Sequence, residues 1–339
     1  MLKRSSLKQS RLFCPITRSF DDLSFSLVDY KNNYFTSNDP IKIIEFYDGF
    51  ENREQLIQWM EERPKGVANI FEVEGSNEII VVIPTSDFNG KYAKECRENI
   101  FKGLHIIFVE SGGREDFYFN YAHNCNVGIM KAMEYNPKWI VVSNDDKYKI
   151  NDIQILSNEL SKRNGCHELL FPCFFPKSSY EHSLNKLNLI GGIILAILGR
   201  KFLARKKGRS MKIAIINRFK IRVNTGFNKY IDNRLFTKKI RKYQGDMEML
   251  IYSRYIFENY GNILFLDENY INGVEDQDLL LRFSLHNIRT EKIEFKIGLY
   301  YNSSLGSSES RHFRDLANII YFDEKWRSKE YRFKENRLG

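Results

Sequence analysis

The sequence predicts an α/β protein whose mostly parallel sheet is covered by helices on both faces. Three observations predict it. The runs Glu78–Ile83, Leu104–Val109 and Trp139–Ser143 are almost continuously apolar, which is how strands buried on both faces read, in contrast to the alternation of a half-exposed sheet. Between them, Tyr92–Phe101 and Asn120–Tyr135 have helical spacing, the second with Ala122, Val127, Ile129, Met130 and Met133 as its apolar positions. Each strand then stops at a breaker: Pro84, Ser111-Gly112-Gly113, and Asn144-Asp145-Asp146. Strand–helix–strand alternation of this kind specifies a layered α/β sheet, and in such sheets ligands bind beyond the carboxyl ends of the strands.

The remaining elements follow in order. Residues 1–40 are polar, studded with aromatics and poorly periodic, and read as a loosely structured lead-in. Residues 41–46 read as a strand, and Glu51–Glu62 as a helix ended by Arg63-Pro64. Beyond the third strand come a helix at Asp152–Arg163, a strand at Leu169–Phe175 and an apolar–basic segment. A helix is expected at Met249–Asn259, then the turn Asp267-Glu268-Asn269 and the acidic segment Glu275–Asp278, which opens a helix at Leu279–His286. A strand at Lys292–Tyr300, a Ser/Gly loop at Asn302–Ser310 and an amphipathic helix at Arg311–Tyr321 complete the chain. This divides the sequence into an N-terminal extension (1–75), a main domain (76–326) carrying an insertion at 184–245, and a tail (327–339). No internal repeat is visible.

The 339 residues suffice for a substantial core, and 42% hydrophobic with 28% charged residues is ordinary globular composition. The net charge of +9 favours anionic partners. It is regional: basic residues crowd between Arg200 and Lys242, where Asp232 is the only acid. No recognition motif accompanies the charge, so nucleic acid is not the expected partner. The five cysteines are odd in number and none form a close pair, which suits a reducing, intracellular setting. The basic N-terminus is not followed by an apolar run, so no signal peptide is expected. The strongest apolar run, Leu187–Gly199, falls short of the roughly 17–25 residues that span a bilayer.

Three segments carry candidate chemistry. Asn144-Asp145-Asp146 places two carboxylates directly after a strand, where hard oxygen ligands suit Mg²⁺ or Mn²⁺ beside a diphosphate; the same residues also make ordinary turns. Glu275-Asp276-Gln277-Asp278 precedes a helix, whose dipole acidic residues complement, but four such groups exceed what a cap requires. A carboxylate there is a candidate general base. The loop Asn302–Ser310, followed by Arg311, His312 and Arg314, combines small residues with positive charge, as a phosphate site or as a connector before a surface helix.

Taken together, Val81-Val82-Ile83-Pro84-Thr85, Phe108-Val109-Glu110-Ser111-Gly112, Asn120 through Gly128, Pro137 through Asp146, Asn272 through Leu279 and Ser304 through Arg311 occur in an order that resembles the family 2-type inverting glycosyltransferases of the GT-A fold. The branch found in archaea and their viruses is the most similar. The resemblance runs from about Ile79 to Trp326, with a looser match over Ile43–Val73 and a weak one over 184–245. It implies a nucleotide-sugar-binding, Rossmann-like mixed sheet. It also implies a nucleoside-diphosphate sugar donor, a divalent cation (Mn²⁺ or Mg²⁺), and a glycan, protein or lipid-linked acceptor.

Position by position, the resemblance implies that Pro84 and Thr85 line the nucleotide pocket and that Glu110, an Asp in many relatives, faces the base. It puts Asn126 and Gly128 near the ribose and the sugar, and Asn144, Asp145 and Arg311 on the donor. Asp146, with Asp145, holds the metal, and Asp276, preceded by Glu275, is the catalytic base. Asp246 belongs to the acceptor wall. A metal-dependent nucleotidyltransferase and a non-catalytic nucleotide-sugar-binding module are the alternatives.

Leu187–Gly199 followed by Arg200-Lys201 and Arg205-Lys206-Lys207 has the composition of an interfacial helix. A buried helix with a solvated basic loop is the equal alternative. The expected setting is therefore cytoplasmic, with peripheral contact of 187–209 at the inner face of a membrane as the form that suits a lipid-linked acceptor.

Overall fold

The computed structural model describes residues 27–37, 39–112, 118–163, 168–175, 248–261, 265–286, 288–300 and 311–327. The insertion at 184–245, Asp246 and the loop Asn302–Ser310 lie outside the described residues. Three helices open the chain: α1 (Leu27–Thr36), α2 (Pro40–Asp48) and α3 (Arg53–Glu62). The elements β1 (Asn69–Val73), β2 (Ser76–Thr85), α4 (Lys91–Glu95, continued by a π-turn at Cys96–Ile100), β3 (Leu104–Glu110) and α5 (Tyr121–Met133) follow. Next come β4 (Trp139–Ser143), β5 (Lys147–Lys149), α6 (Ile153–Ser161) and β6 (Glu168–Phe175). The last are β7 (Met249–Ser253), α7 (Arg254–Tyr260), α8 (Glu275–Leu285), β8 (Arg289–Leu299) and α9 (Arg311–Arg327).

The protein is α/β. Its eight strands form one mixed sheet in the order β1-β3-β2-β4-β7-β6-β8-β5. Strands β3, β2 and β4 pair in parallel, β7 is reversed between β4 and β6, and β6 and β8 are again parallel. The antiparallel edge strands are β1 on β3 and β5 on β8.

The continuous apolar strands divide their side chains between two cores, as the two-residue period of a strand requires. Ile80, Val82, Ile107, Val109, Ile140 and Val142 face α5, α7 and α8, while Ile79, Val81, Ile83, Ile106, Phe108 and Val141 face α4, its π-turn and α6. Each fully buried Ile, Val or Leu contributes about 1.5–3 kcal/mol, so the β2–β3–β4 block is the firmest part of the sheet. Helix α5 approaches it closely at Gly128, where a Cβ would lie 2.3 Å from Val82 Cγ1 and 3.0 Å from Val109 Cγ2.

A third core joins the two ends of the chain. Phe35, Ile43, Phe46, Phe50, Trp59 and Met60 of the first helices pack with Leu281 of α8 and Ala317, Ile320, Phe322 and Trp326 of α9. Arg314 on α9 donates to the carbonyls of Phe35, Thr36 and Ser37 at 3.0, 3.0 and 2.7 Å, satisfying the last orphan acceptors of α1.

Several expectations are corrected. Residues 41–46 are helical, because Ile43, Phe46, Tyr47 and Phe50 present one apolar stripe to α9 and α3. The lead-in contains α1 within residues 1–40. Met249–Asn259 splits into β7 and α7, since Met249–Ser253 is buried at every position between β4 and β6. Helix α8 begins at Glu275, so the acidic segment is its first turn, and α9 extends to Arg327. Among the described residues no helix is long and apolar enough to cross a membrane.

Candidate functional site

The carboxyl ends of β2, β3 and β4 lie at one end of the parallel block, where Thr85, Glu110 and the Asn144-Asp145-Asp146 turn stand. Thr85, the last residue of β2, donates its hydroxyl to Asp145 Oδ2 at 2.7 Å. Pro84 precedes it within the strand, buried and opposite Val109. Glu110, which ends β3 beside Thr85, accepts the backbone N–H of Phe88 at 2.7 Å. That bond pins the turn after β2, where Phe88 stacks on Phe71 with ring centroids 4.7 Å apart.

The Asn144-Asp145-Asp146 turn is held by its backbone. Lys147 N–H donates to the Asp145 carbonyl at 2.8 Å, Tyr300 N–H to the Asp146 carbonyl at 3.0 Å, and Asn144 N–H to the Glu248 carbonyl at 3.1 Å. Burial pushes the Asp145 carboxyl above the usual carboxylate range; the Asp146 charge adds to the rise, while the Thr85 hydrogen bond and Lys147 oppose it. The Lys147 side chain is 0% exposed, with its ammonium 2.8 Å from Asp146 Oδ1 and 3.2 Å from Glu248 Oε2. Neither Lys147 nor Glu248 is singled out by sequence reasoning, although Lys147 directly follows the acidic pair.

The second acidic segment reaches this end through α5. Asn120 caps that helix by accepting the His123 N–H at 2.9 Å. Tyr121 then links both sides. Its hydroxyl donates to Asn144 Oδ1 at 2.5 Å, and its N–H donates to Asn272 Oδ1 at 2.9 Å. Burial raises the Tyr121 hydroxyl, with Cys125 and the Glu275 charge adding to the shift.

The backbone entering α8 is strained, with φ of 52° at Asn272 and 72° at Val274. Such values are costly for a β-branched residue and cluster at functional segments. In the first turn Asp276 Oδ1 accepts the Gln277 N–H at 2.7 Å.

The other acid of that segment is structural. Asp278, 0% exposed, accepts from Arg282 Nε at 2.9 Å, Trp326 Nε1 at 2.9 Å, Lys325 Nζ at 3.0 Å and the Tyr270 hydroxyl at 3.2 Å.

Two residues that the resemblance places at the ribose and sugar are committed elsewhere. Asn126 donates to the Leu266 carbonyl at 2.8 Å and to Glu268 at 2.9 Å, and accepts the Leu266 N–H at 2.9 Å, clipping segment 265–268 to α5. Glu268 also takes His123 Nδ1 at 2.8 Å. Gly128 is a packing glycine inside the core. Arg314, one of the basic groups expected near a phosphate, closes the end of α1. Arg311 opens α9.

Asp145 and Asp146 suit a divalent cation by their chemistry. Both stand in the turn beside the Lys147 ammonium, which meets Asp146 and Glu248, and burial raises the Asp145 carboxyl. Among the described residues no group of three or more His, Cys, Asp or Glu side chains is arranged to hold a metal, and a Mg²⁺-like site completed by substrate phosphates needs only one or two carboxylates. In comparisons with known proteins, no family model and no curated protein matches this chain.

Proposed function

We propose that this protein is a metal-assisted, inverting glycosyltransferase of the GT-A fold, moving a sugar from a nucleoside diphosphate to an acceptor hydroxyl. The observation that carries the reading is Tyr121, whose hydroxyl bonds Asn144 of the acidic turn and whose N–H bonds Asn272, three residues before Glu275. These two bonds support a common site for the two acidic segments, which are far apart in sequence. The parallel β3-β2-β4 block with a reversed strand beside it, and the placement of Thr85, Glu110 and Asp145 at its carboxyl end, support the same reading.

Asp145 and Asp146 would hold Mn²⁺ or Mg²⁺, which would offset the charge that develops on a departing diphosphate. The Thr85 hydroxyl fixes the Asp145 carboxylate, and Tyr300 and Lys147 fix the turn, so these groups need no reorganisation when a donor arrives. Asp276 accepts the proton of the acceptor hydroxyl as that oxygen bonds the anomeric carbon and the bond to the diphosphate oxygen breaks, inverting the centre. Glu275 adds a further carboxylate to this turn. Glycans, proteins and lipid-linked hydroxyls are the acceptor classes. A lipid-linked acceptor gives residues 187–209 a role at the inner face of a membrane.

The test is a panel of nucleoside diphosphate sugars with Mn²⁺ or Mg²⁺, following nucleotide release and thermal stabilisation, on wild type and Asp276→Asn. The expected result is turnover of at least one donor by wild type, with D276N lowered by about 10²–10⁴-fold while nucleotide binding is retained. Nucleotide release by D276N at the wild-type rate contradicts the role of the base and favours nucleotidyl transfer. Binding with no turnover of any donor favours a non-catalytic module.

A further inference from the structure

The Lys147 ammonium lies inside the acidic turn, and the fold leaves it nowhere else to go. The side chain is fully buried, and its backbone pairs with Leu299 across the β5–β8 ladder. It contacts one oxygen of Asp146 and Glu248, whose side chain is 42% exposed. An ammonium taken wholly out of water is retained only against carboxylate partners, and removing such a charge alters its partners far more than a surface lysine would. A cation on Asp146 therefore shares that carboxylate with a fixed positive charge. It meets repulsion that the low-dielectric surroundings do not screen.

We propose that Lys147 is a built-in counter-ion that couples metal loading to diphosphate binding. Alone, a divalent cation competes with the ammonium for Asp146 and binds weakly. A nucleoside diphosphate brings negative charge that both cations attract, so each ligand strengthens the other by the same factor. The inference rests on the proposed function only for the metal at Asp146; it does not need sugar transfer.

The experiment measures Mn²⁺ binding by the electron paramagnetic resonance of the free ion, with and without uridine or guanosine diphosphate, on wild type, Lys147→Met, Lys147→Arg and Glu248→Gln. Wild type and K147R should bind Mn²⁺ alone weakly and gain at least tenfold from a diphosphate. K147M should bind Mn²⁺ alone at least tenfold tighter, and its gain from the diphosphate should shrink correspondingly. E248Q, which leaves the ammonium to Asp146 alone at an exposed position, should bind Mn²⁺ severalfold more weakly than wild type; it decides the matter if K147M does not fold. Unchanged Mn²⁺ affinity in K147M or in E248Q overturns the proposal, as does diphosphate binding that is indifferent to Mn²⁺ in wild type. Absence of sugar transfer with these couplings intact would instead count against the proposed reaction alone.

Discussion

Two clusters of acidic side chains stand a short way apart in this protein and are built on opposite principles. At Asp278 the carboxylate is fully enclosed and meets Arg282, Lys325, Trp326 and Tyr270; neighbouring Asp267 takes Lys325 and the Tyr321 hydroxyl. At the end of β4, the Lys147 ammonium meets Asp146 and Glu248, and the Asp145 carboxyl is raised by burial first and then by its neighbour's charge. The first cluster is neutralised by the chain itself. The second contains a carboxyl whose ionisation burial disfavours, a condition that costs stability and clusters at functional sites. Sequence proximity does not separate roles: Asp276 and Asp278 are two residues apart, and Asp278 is the one bonded to Arg282 and to Trp326 of α9.

Four substitutions sharpen that contrast. The largest effect on stability belongs to Asp278→Asn, which strips a buried charge from Arg282 and Lys325 and should cost about 3–5 kcal/mol in a denaturant titration. Asp267→Asn follows, at about 1–3 kcal/mol near neutral pH. Burial opposes ionisation of Asp267, but the Lys325 ammonium and the hydrogen bonds from Asn269 and Tyr321 outweigh it and hold its carboxyl below the usual range. Its contribution is therefore complete above the unfolded carboxylate range and is lost as pH falls through the lower folded value. The gap between wild type and D267N should close in strong acid.

Asp145→Asn should act in the opposite direction, stabilising the fold by on the order of 0.5–2 kcal/mol. A raised carboxyl disfavours the ionised fold, so this gain should be full at neutral pH and vanish once pH falls below the unfolded carboxylate range. Metal and nucleotide binding should be lost at the same time. The smallest change is Tyr121→Phe, which removes one hydrogen bond to Asn144 for about 0.5–1.5 kcal/mol; its stronger signature should be weakened nucleotide binding in a calorimetric titration. Equal destabilisation by D145N and D278N would erase the distinction between the clusters.

Much of the sheet was legible because its signal is local. The β2, β3 and β4 runs are apolar throughout and end in breakers, and Asn120 caps α5 within four residues. The misreadings share a different cause. Strand β7 is five residues long and owes its state to neighbours on both sides, β4 and β6. Helix α2 carries a helical stripe in Ile43, Phe46 and Tyr47, but its partner α9 is more than 250 residues away.

At the site, the acidic turn and its position after β4 could be read directly. The employment of Asn126 could not, since the groups that occupy its amide lie 140 residues on. Lys147 was hidden for the same reason: a lysine beside two aspartates reads as a solvated turn until the pairing of β5 with β8 encloses it.

The central claim is that the acidic turn after β4 and the first turn of α8 face a single site. Its most direct measurement is paramagnetic: a ¹⁹F label on Asp276→Cys, observed by NMR as Mn²⁺ and a nucleoside diphosphate are titrated in, with Asp146→Asn as the control. Strong broadening that disappears in the D146N background is the predicted result. A label signal that stays sharp while the diphosphate and Mn²⁺ are bound would contradict the account.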